Sequence, residues 1–381
     1  MNPLKVGIVG AIRGGWHALS FNAHDDAEVT ALCDVNETVL NAKADKYGVR
    51  ERYTDYRDLL ESDVDLVVVA TPMQLHVPQS LEALAAGKHV LSEVTAAVSV
   101  DQCKELLAGV EQAKPSGLKY MMAENFRYFD ETVALQNMVD EGLFGDVYLA
   151  EAEYVHDLHY LQTESDGSPS WRTSWQVGVN GCSYATHQLG PALEWFGKDA
   201  RVESLVCMGT GHHVTPKFVQ EDSTFMLCKL NTGGLIRVRV DMLSRRPYVM
   251  DYFTLQGTRG CFESARGFGD QHKIWLDSFG ARPPDPHLHA DPYDWRPFAE
   301  FQERHLPADM KVPQGDVETS GFRFDYLVAR EMLSAIREDR QPVIDVYKAL
   351  DYTLPGLLSE QSISNGGAPV KVPDFRSGEW S

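Results

Sequence analysis

The chain has no apolar run of the roughly 20 residues that a bilayer-spanning helix requires, which argues against a membrane protein. Its six cysteines (Cys33, Cys103, Cys182, Cys207, Cys228, Cys261) show no Cys-x-x-Cys spacing. That fits reduced thiols in a cytoplasm better than a disulfide frame or a zinc site. Positive charge is scarce: 35 Lys and Arg stand against 55 Asp and Glu, for a net charge of −20. Such a chain repels polyanions, so neither nucleic acid nor an anionic membrane surface is expected as a partner. The start, Met1-Asn2-Pro3-Leu4-Lys5, lacks the charged, apolar and small-residue pattern of an export signal, and a cytoplasmic location is expected. Internal repeats and low-complexity tracts are missing as well. What is there is globular: 43% apolar and 24% charged residues over 381 positions, too many for one compact core.

The organising stretch is Lys5-Val6-Gly7-Ile8-Val9-Gly10-Ala11-Ile12-Arg13-Gly14-Gly15-Trp16-His17. A short apolar run, a glycine turn and a helical pattern open a dinucleotide-binding βαβ unit, where helix N–H groups and the dipole end meet a pyrophosphate. Gly10 and Gly15 fit the first and third positions of G-x-G-x-x-G, with Ile12 in the second, or the registration is shifted by one. The next β-rich run, Ala27 to Cys33, ends in Asp34 about twenty residues on, where a carboxylate accepts from ribose hydroxyls and disfavours a 2′-phosphate. NAD is therefore expected rather than NADP.

Up to residue 125, strands alternate with helices. Asp65–Ala70 reads as a strand buried on both faces, followed by Thr71-Pro72 and a helix opened by His76 and closed by Gly87. Lys88–Ser92 leads into Glu93-Val94-Thr95, a helix covers 99–113, and Tyr120–Asn125 is a further strand. This alternation predicts a Rossmann-type, doubly wound parallel sheet with ligands at the strand ends. Residues 126–381 read as an α+β domain with a large, mainly antiparallel sheet. Its strands are Val147–Tyr154, Ser204–Met208, Ser223–Leu230, Leu235–Asp241 and Phe253–Gln256, with Asn231–Gly234 as a hairpin turn. Residues 279–315 read as a long irregular loop. The final helices, 326–337 and 346–364, are expected to return to the first domain.

Three places carry candidate chemistry. Tyr184 and His187, three apart, share one face of a predicted helix and suit proton transfer at a carbinol or an acidified C–H. Tyr154 and His156 project to one face of a strand end, and Asp157 beside His156 is placed to fix its tautomer. Trp171-Arg172 and Arg246-Pro247-Tyr248 suit a sugar ring or cofactor. His212-His213 and the Pro286–His289 tract read as loop residues, and no metal is expected, since no third ligand stands at a recognisable spacing.

These motifs resemble the Gfo/Idh/MocA family of sugar oxidoreductases through the Gly10–Gly15 turn, Ala70-Thr71-Pro72…His76, Gly87–Glu93 and Asn125. Ordinary members follow the glutamate with Lys-Pro, the lysine being the acid/base. Val94-Thr95 stand here, and valine cannot transfer a proton. The branch with Glu-Val at this place is the NAD-dependent glycosidases of glycoside hydrolase family 109. Similarity to it runs through Met121–Asn125, Tyr154–Asp157, Trp171-Arg172, Tyr184–Pro191, Arg246–Tyr248 and the tail from Pro342 to Phe375. Departures are Ile12 for glycine, Met73-Gln74-Leu75 without tryptophans, Ala185 for proline, and Thr319–Phe324 ahead of Asp325.

The resemblance implies NAD held by Gly10, Ile12, Arg13, Gly15, Asp34, Thr71, Pro72, His76, Glu93, Val94, Asn125 and Trp171. It implies catalysis by His187, Tyr184 and Tyr154, and a glycoside held by Tyr154, His156, Arg172, Tyr184, His187, Tyr248 and Asp325. It also implies a homo-oligomer and a retaining hydrolysis through C3 oxidation, C2 deprotonation, elimination and water addition. An NAD-dependent sugar dehydrogenase releasing NADH, and a non-catalytic sugar or dinucleotide sensor, are the alternatives.

Overall fold

The computed structural model describes residues 2–164, 166–280, 294–310 and 323–378. The chain forms two compact units: Met1–Tyr128 with Ala308–Leu354 and Phe375–Ser381, and Phe129–Pro307 with Pro355–Asp374. The division differs from a single boundary after residue 125. Helix Arg323–Arg337 belongs to the first unit, and helix Val346–Ser364 is divided between the two at Pro355.

The first unit holds six parallel strands: β1 (Leu4–Val9), β2 (Ala27–Cys33), β3 (Glu51–Tyr53), β4 (Leu66–Val69), β5 (His89–Ser92) and β6 (Tyr120–Met122). Their order is β3-β2-β1-β4-β5-β6. That order reverses between β1 and β4, and the crevice at such a switch point takes the ligand. All four residues of β4 are fully buried, as a central parallel strand requires. Each buried valine or leucine contributes about 1.5–3 kcal/mol. The β5 strand feeds the helix Val100–Ala113, where the Ser99 side chain accepts from Gln102 N at 3.2 Å. The strand expected over 120–125 stops at Met122, and Asn125 begins a short 3₁₀ turn.

The second unit is built on nine strands: β7 (Val147–Val155), β8 (Val202–Gly209), β9 (Thr224–Leu230), β10 (Leu235–Asp241), β11 (Val249–Gly257), β12 (Gly260–Glu263), β13 (Lys273–Leu276), β14 (Arg296–Pro297) and β15 (Val370–Lys371). Their order is β14-β13-β12-β11-β7-β10-β9-β8-β15. Pairing is antiparallel throughout except between β7 and β10. Met226, Cys228 and Leu230 of β9 are buried while Leu227 between them is 47% exposed, the period-two pattern of a sheet with one covered face. Helix Thr186–Glu194 packs against β7. The expected hairpin turn joins β9 to β10, with Gly233 at φ 93°.

The loop read over 279–315 contains order where it is described. Arg296–Pro297 pairs with β13, and Ala299–His305 is a helix. Most of the rest of that loop, and the Pro286–His289 tract with it, lies outside the described residues. Among the described residues no helix is long and apolar enough to cross a membrane.

Candidate active site

In the first unit, β1 ends at Val9 and the helix Ala11–Asn22 starts at once, with Gly10 at its N-cap and φ 93°. A Cβ on Gly10 would collide with the Ala70 carbonyl oxygen just past β4. Only glycine makes this turn. Gly10 supplies no side-chain cap, and the positive dipole end of the helix lies at this turn. Ile12 stands in the first helical turn, 65% exposed. Close helix–strand contact is made by Gly14, whose Cβ would strike Ile8, whereas a Cβ on Gly15 would come 2.7 Å from Tyr47 Cε2. The third-glycine task read for Gly15 therefore falls one residue earlier. Asp34 sits at the end of β2, its Oδ2 accepting from Ala11 N and its Oδ1 from Asn36 N, both at 2.8 Å. Each carboxylate oxygen keeps a further lone pair.

Four residues read as ligand contacts are bonded within the protein. Arg13 donates from Nε to Glu93 Oε1 at 2.6 Å, and from Nη1 and Nη2 to Asp325 at 2.6 and 2.9 Å. Asp325, assigned to the substrate, is fully buried, so its carboxylate is taken up within the protein. His17 closes the cluster, its Nε2 2.7 Å from Glu93 Oε1. Burial alone would raise the Glu93 pKa, but the Arg13 charge and the His17 hydrogen bond hold it far below the usual carboxylate range. His76, assigned to the cofactor, is 1% exposed, with Nε2 2.9 Å from the Thr71 carbonyl and Nδ1 2.8 Å from that of Thr95. It ties two loops together. Burial lowers its pKa, while the bonds to the two carbonyls oppose that shift. The sequence reading missed His17, although its place one turn after Arg13 was a usable signal.

Thr71 donates to Gln79 Oε1 at 2.6 Å, next to Pro72, and Val94 is buried. Asn125 Nδ2 donates to Asp325 Oδ1 at 3.3 Å, while its own buried Oδ1 has no partner among the described residues. A helix N-terminus at a glycine-only turn, a strand-end carboxylate and an orphaned buried acceptor fit a dinucleotide with an amide-bearing ring.

The second unit gathers phenols and imidazoles. Tyr154, near the end of β7, stacks on His187 with ring centroids 5.8 Å apart and meets Tyr184 edge-on at 5.3 Å. Tyr184 meets His187 at 5.4 Å. The helix begins only at Thr186, so Tyr184 stands in the preceding turn rather than on the helix with His187. Tyr154 and His187 are 6% and 8% exposed. The Tyr154 hydroxyl lies 2.9 Å from His156 Nδ1, as the alternation along a strand requires for residues two apart. Asp157 does not fix the His156 ring: its Oδ1 lies 2.6 Å from His159 Nδ1. His156 Nε2 is 3.1 Å from the hydroxyl of Tyr160, which the sequence reading also missed. Burial and the charge of Arg172 push the His156 pKa down to about 4.

The Arg172 guanidinium lies 4.5 Å above the Trp171 ring and donates to Gln176 Oε1 at 2.7 Å. Tyr248, 60% exposed, sets its ring edge-on to His156 at 5.2 Å. His212 and His213 bond backbone carbonyls of their own loop. Among the described residues no cluster of three His, Cys, Asp or Glu suits a metal.

Residues 128–381 match the family described as glycosyl hydrolase 109, C-terminal domain, and residues 4–121 match the oxidoreductase family, NAD-binding Rossmann fold. A glycosyl hydrolase family 109 protein of Shewanella putrefaciens (strain CN-32) is 29% identical, covering 100% of this chain and 86% of its own length. A relative from Shewanella oneidensis, named alpha-N-acetylgalactosaminidase, is 28% identical with the same coverage. Among solved structures, levoglucosan dehydrogenase in complex with NADH and L-sorbose shares the fold at a TM-score of 0.80 and 19% identity, covering 98% of this chain and 100% of that one. With more than half of its length matching the C-terminal model and its first unit an NAD-binding Rossmann domain, the chain belongs to the glycosyl hydrolase 109 family of enzymes.

Proposed function

We propose that the protein is an NAD-dependent retaining glycosidase that works by oxidation and elimination. The observation that carries this reading is the contact of Tyr154, Tyr184 and His187 in one cluster of the second unit; in the sequence of the first unit, the residue after Glu93 is the aliphatic Val94. Those three side chains can hold and move protons; Val94 cannot. The glycine turn at Gly10, Asp34, Thr71-Pro72 and Asn125 would hold NAD. Bound there, NAD supplies a hydride acceptor for sugar C3 and returns the hydride at the end of turnover.

In this reading His187, with Tyr184, takes the proton of the C3 hydroxyl. The C3 ketone acidifies the C2 hydrogen, Tyr154 removes it, and the glycosidic oxygen leaves C1. Water adds at C1, C2 is reprotonated, and C3 is reduced again. The sum is hydrolysis with no net redox change and no flanking carboxylate pair. Arg172 and Tyr248 hold the sugar by donation and by stacking.

A panel of 4-nitrophenyl glycosides, beginning with the α-N-acetylgalactosaminide, tests this with and without added NAD. Release of nitrophenol without accumulating NADH is expected. NADH formed in step with substrate, with no nitrophenol, would show a sugar dehydrogenase instead. Neither signal across the panel would leave a binding protein. His187→Ala is expected to cut nitrophenol release by about 10²–10⁴, the usual worth of a placed acid–base group.

A further inference from the structure

Tyr154 is 6% exposed, yet a hydrogen-bonded chain leads from it to the surface. Its hydroxyl lies 2.9 Å from Nδ1 of His156, and Nε2 of the same ring lies 3.1 Å from the hydroxyl of Tyr160. Tyr160 is 66% exposed. Tyr154 is the penultimate residue of β7, His156 follows the strand, and Tyr160 sits in the short turn His159–Leu161.

We infer that His156 and Tyr160 form a proton relay that exchanges the Tyr154 proton with bulk water during turnover, an assignment that rests on the glycosidase reading. As the Tyr154 oxygen takes the C2 proton, its own hydroxyl proton passes to Nδ1 of His156. The Nε2 proton passes to the Tyr160 oxygen, and the former Tyr160 proton enters water. The C2–H electron pair stays on the sugar as the enolate and then expels the C1 oxygen. Each protein group ends with the number of protons it started with, so no buried ion is left behind. Run in reverse, the same chain returns a solvent proton to C2.

An imidazole suits the middle of such a chain because the neutral ring presents one donor and one acceptor at once. His156 is kept neutral by its burial and by the Arg172 charge, so it passes a proton on rather than storing it. Without this route the proton taken from C2 would stay on a phenol almost wholly screened from water, and would return to the carbon it came from.

Hydrogen retention at C2 tests this. The 4-nitrophenyl glycoside that the wild type hydrolyses fastest is turned over in deuterium oxide, and C2 of the released sugar is read by mass spectrometry. The wild type is expected to place deuterium there in nearly every molecule. Tyr160→Phe cuts the last link at an exposed position where folding is undisturbed. It is expected to leave the original hydrogen at C2 in a large share of product, with kcat lower by about tenfold and KM unchanged. His156→Phe is expected to keep the original hydrogen at C2 likewise, by cutting the centre. Deuteration in both variants equal to the wild type would overturn the relay while leaving the glycosidase reading in place. So would a wild type that releases nitrophenol and keeps its C2 hydrogen. Loss of the reading itself shows differently, as NADH accumulation or absent nitrophenol release.

Discussion

Arg13 and Asp325 lie 312 residues apart in the chain and meet in a two-bond fork, Nη1 to Oδ2 at 2.6 Å and Nη2 to Oδ1 at 2.9 Å. The Asp325 side chain is 1% exposed. Removing Asp325 takes the fork from Arg13, which keeps Glu93 as a partner, so the cost is expected to stay below the about 3–5 kcal/mol of a fully stranded buried charge. Asp325→Ala is therefore expected to lower the urea midpoint of the first unit by a corresponding amount. A loss under about 1 kcal/mol, the scale of an exposed pair, would show that the fork is not buried in solution.

The same cluster sets an acid limit. The folded pKa of Glu93 is depressed, burial being overridden by Arg13 and His17. Its contribution is fully present above the ordinary value of 4.5 and is lost as pH falls toward the folded value. Below that ordinary value the unfolded chain binds a proton that the folded chain does not. Urea midpoints measured from pH 7 down to pH 3 are expected to hold and then fall, with a shallower fall in Glu93→Gln. An equal acid slope in wild type and variant would remove Glu93 from this account.

The titration of His156 gives a second pH signature. Its pKa falls from 6.5 to about 4, first through burial and then through the charge of Arg172. Between those values the unfolded chain binds a proton that the folded chain does not, so this ring lowers stability as pH drops through that window. Arg172→Gln removes one of the causes and is expected to move the His156 titration upward in an imidazole NMR series. An unchanged titration would mean that the guanidinium does not face the ring.

Much of the first unit is legible in the sequence because its signals are local. Leu66–Val69 is a short β-branched run, Ser99 caps the helix beyond β5, and Gly87 ends the helix before it. What stays hidden depends on distant partners. Nothing near Asp325 in sequence announces Arg13, so the buried ion pair is not legible there. The parallel pairing of β7 with β10 is likewise invisible, since alternation along Leu235–Asp241 is the same for either direction. Tyr184 reaches His187 from a turn that helical spacing imitates. The strand Glu51–Tyr53 has no apolar pattern to read.

The turn at Gly10 links conformation to cofactor. With φ at 93° and the Ala70 carbonyl oxygen against any Cβ, alanine there must shift the backbone. Holding such a residue costs about 1–3 kcal/mol. Gly10→Ala is expected to weaken NAD binding by about tenfold or more in calorimetry, since each 1.4 kcal/mol is a factor of about ten. Wild-type affinity in a folded Gly10→Ala variant would show that this turn does not approach the dinucleotide.

Ser359 reaches the turn that carries Tyr184 from a distant part of the chain. It is fully buried; its Oγ accepts from Cys182 N at 2.7 Å and donates to the Gly356 carbonyl at 2.6 Å. Cys182 opens the turn that ends in Ala185 N donating to the Cys182 carbonyl at 3.0 Å, and Tyr184 stands inside that turn. Ser359→Ala removes the acceptor and leaves the Cys182 amide buried without it, a cost of about 1–3 kcal/mol. The looser turn displaces Tyr184 relative to His187. Faster hydrogen exchange at the Cys182 amide and a lower kcat are expected together, because one bond underlies both. A variant with fast exchange and wild-type kcat would separate the turn from the chemistry and remove Tyr184 from proton transfer at C3.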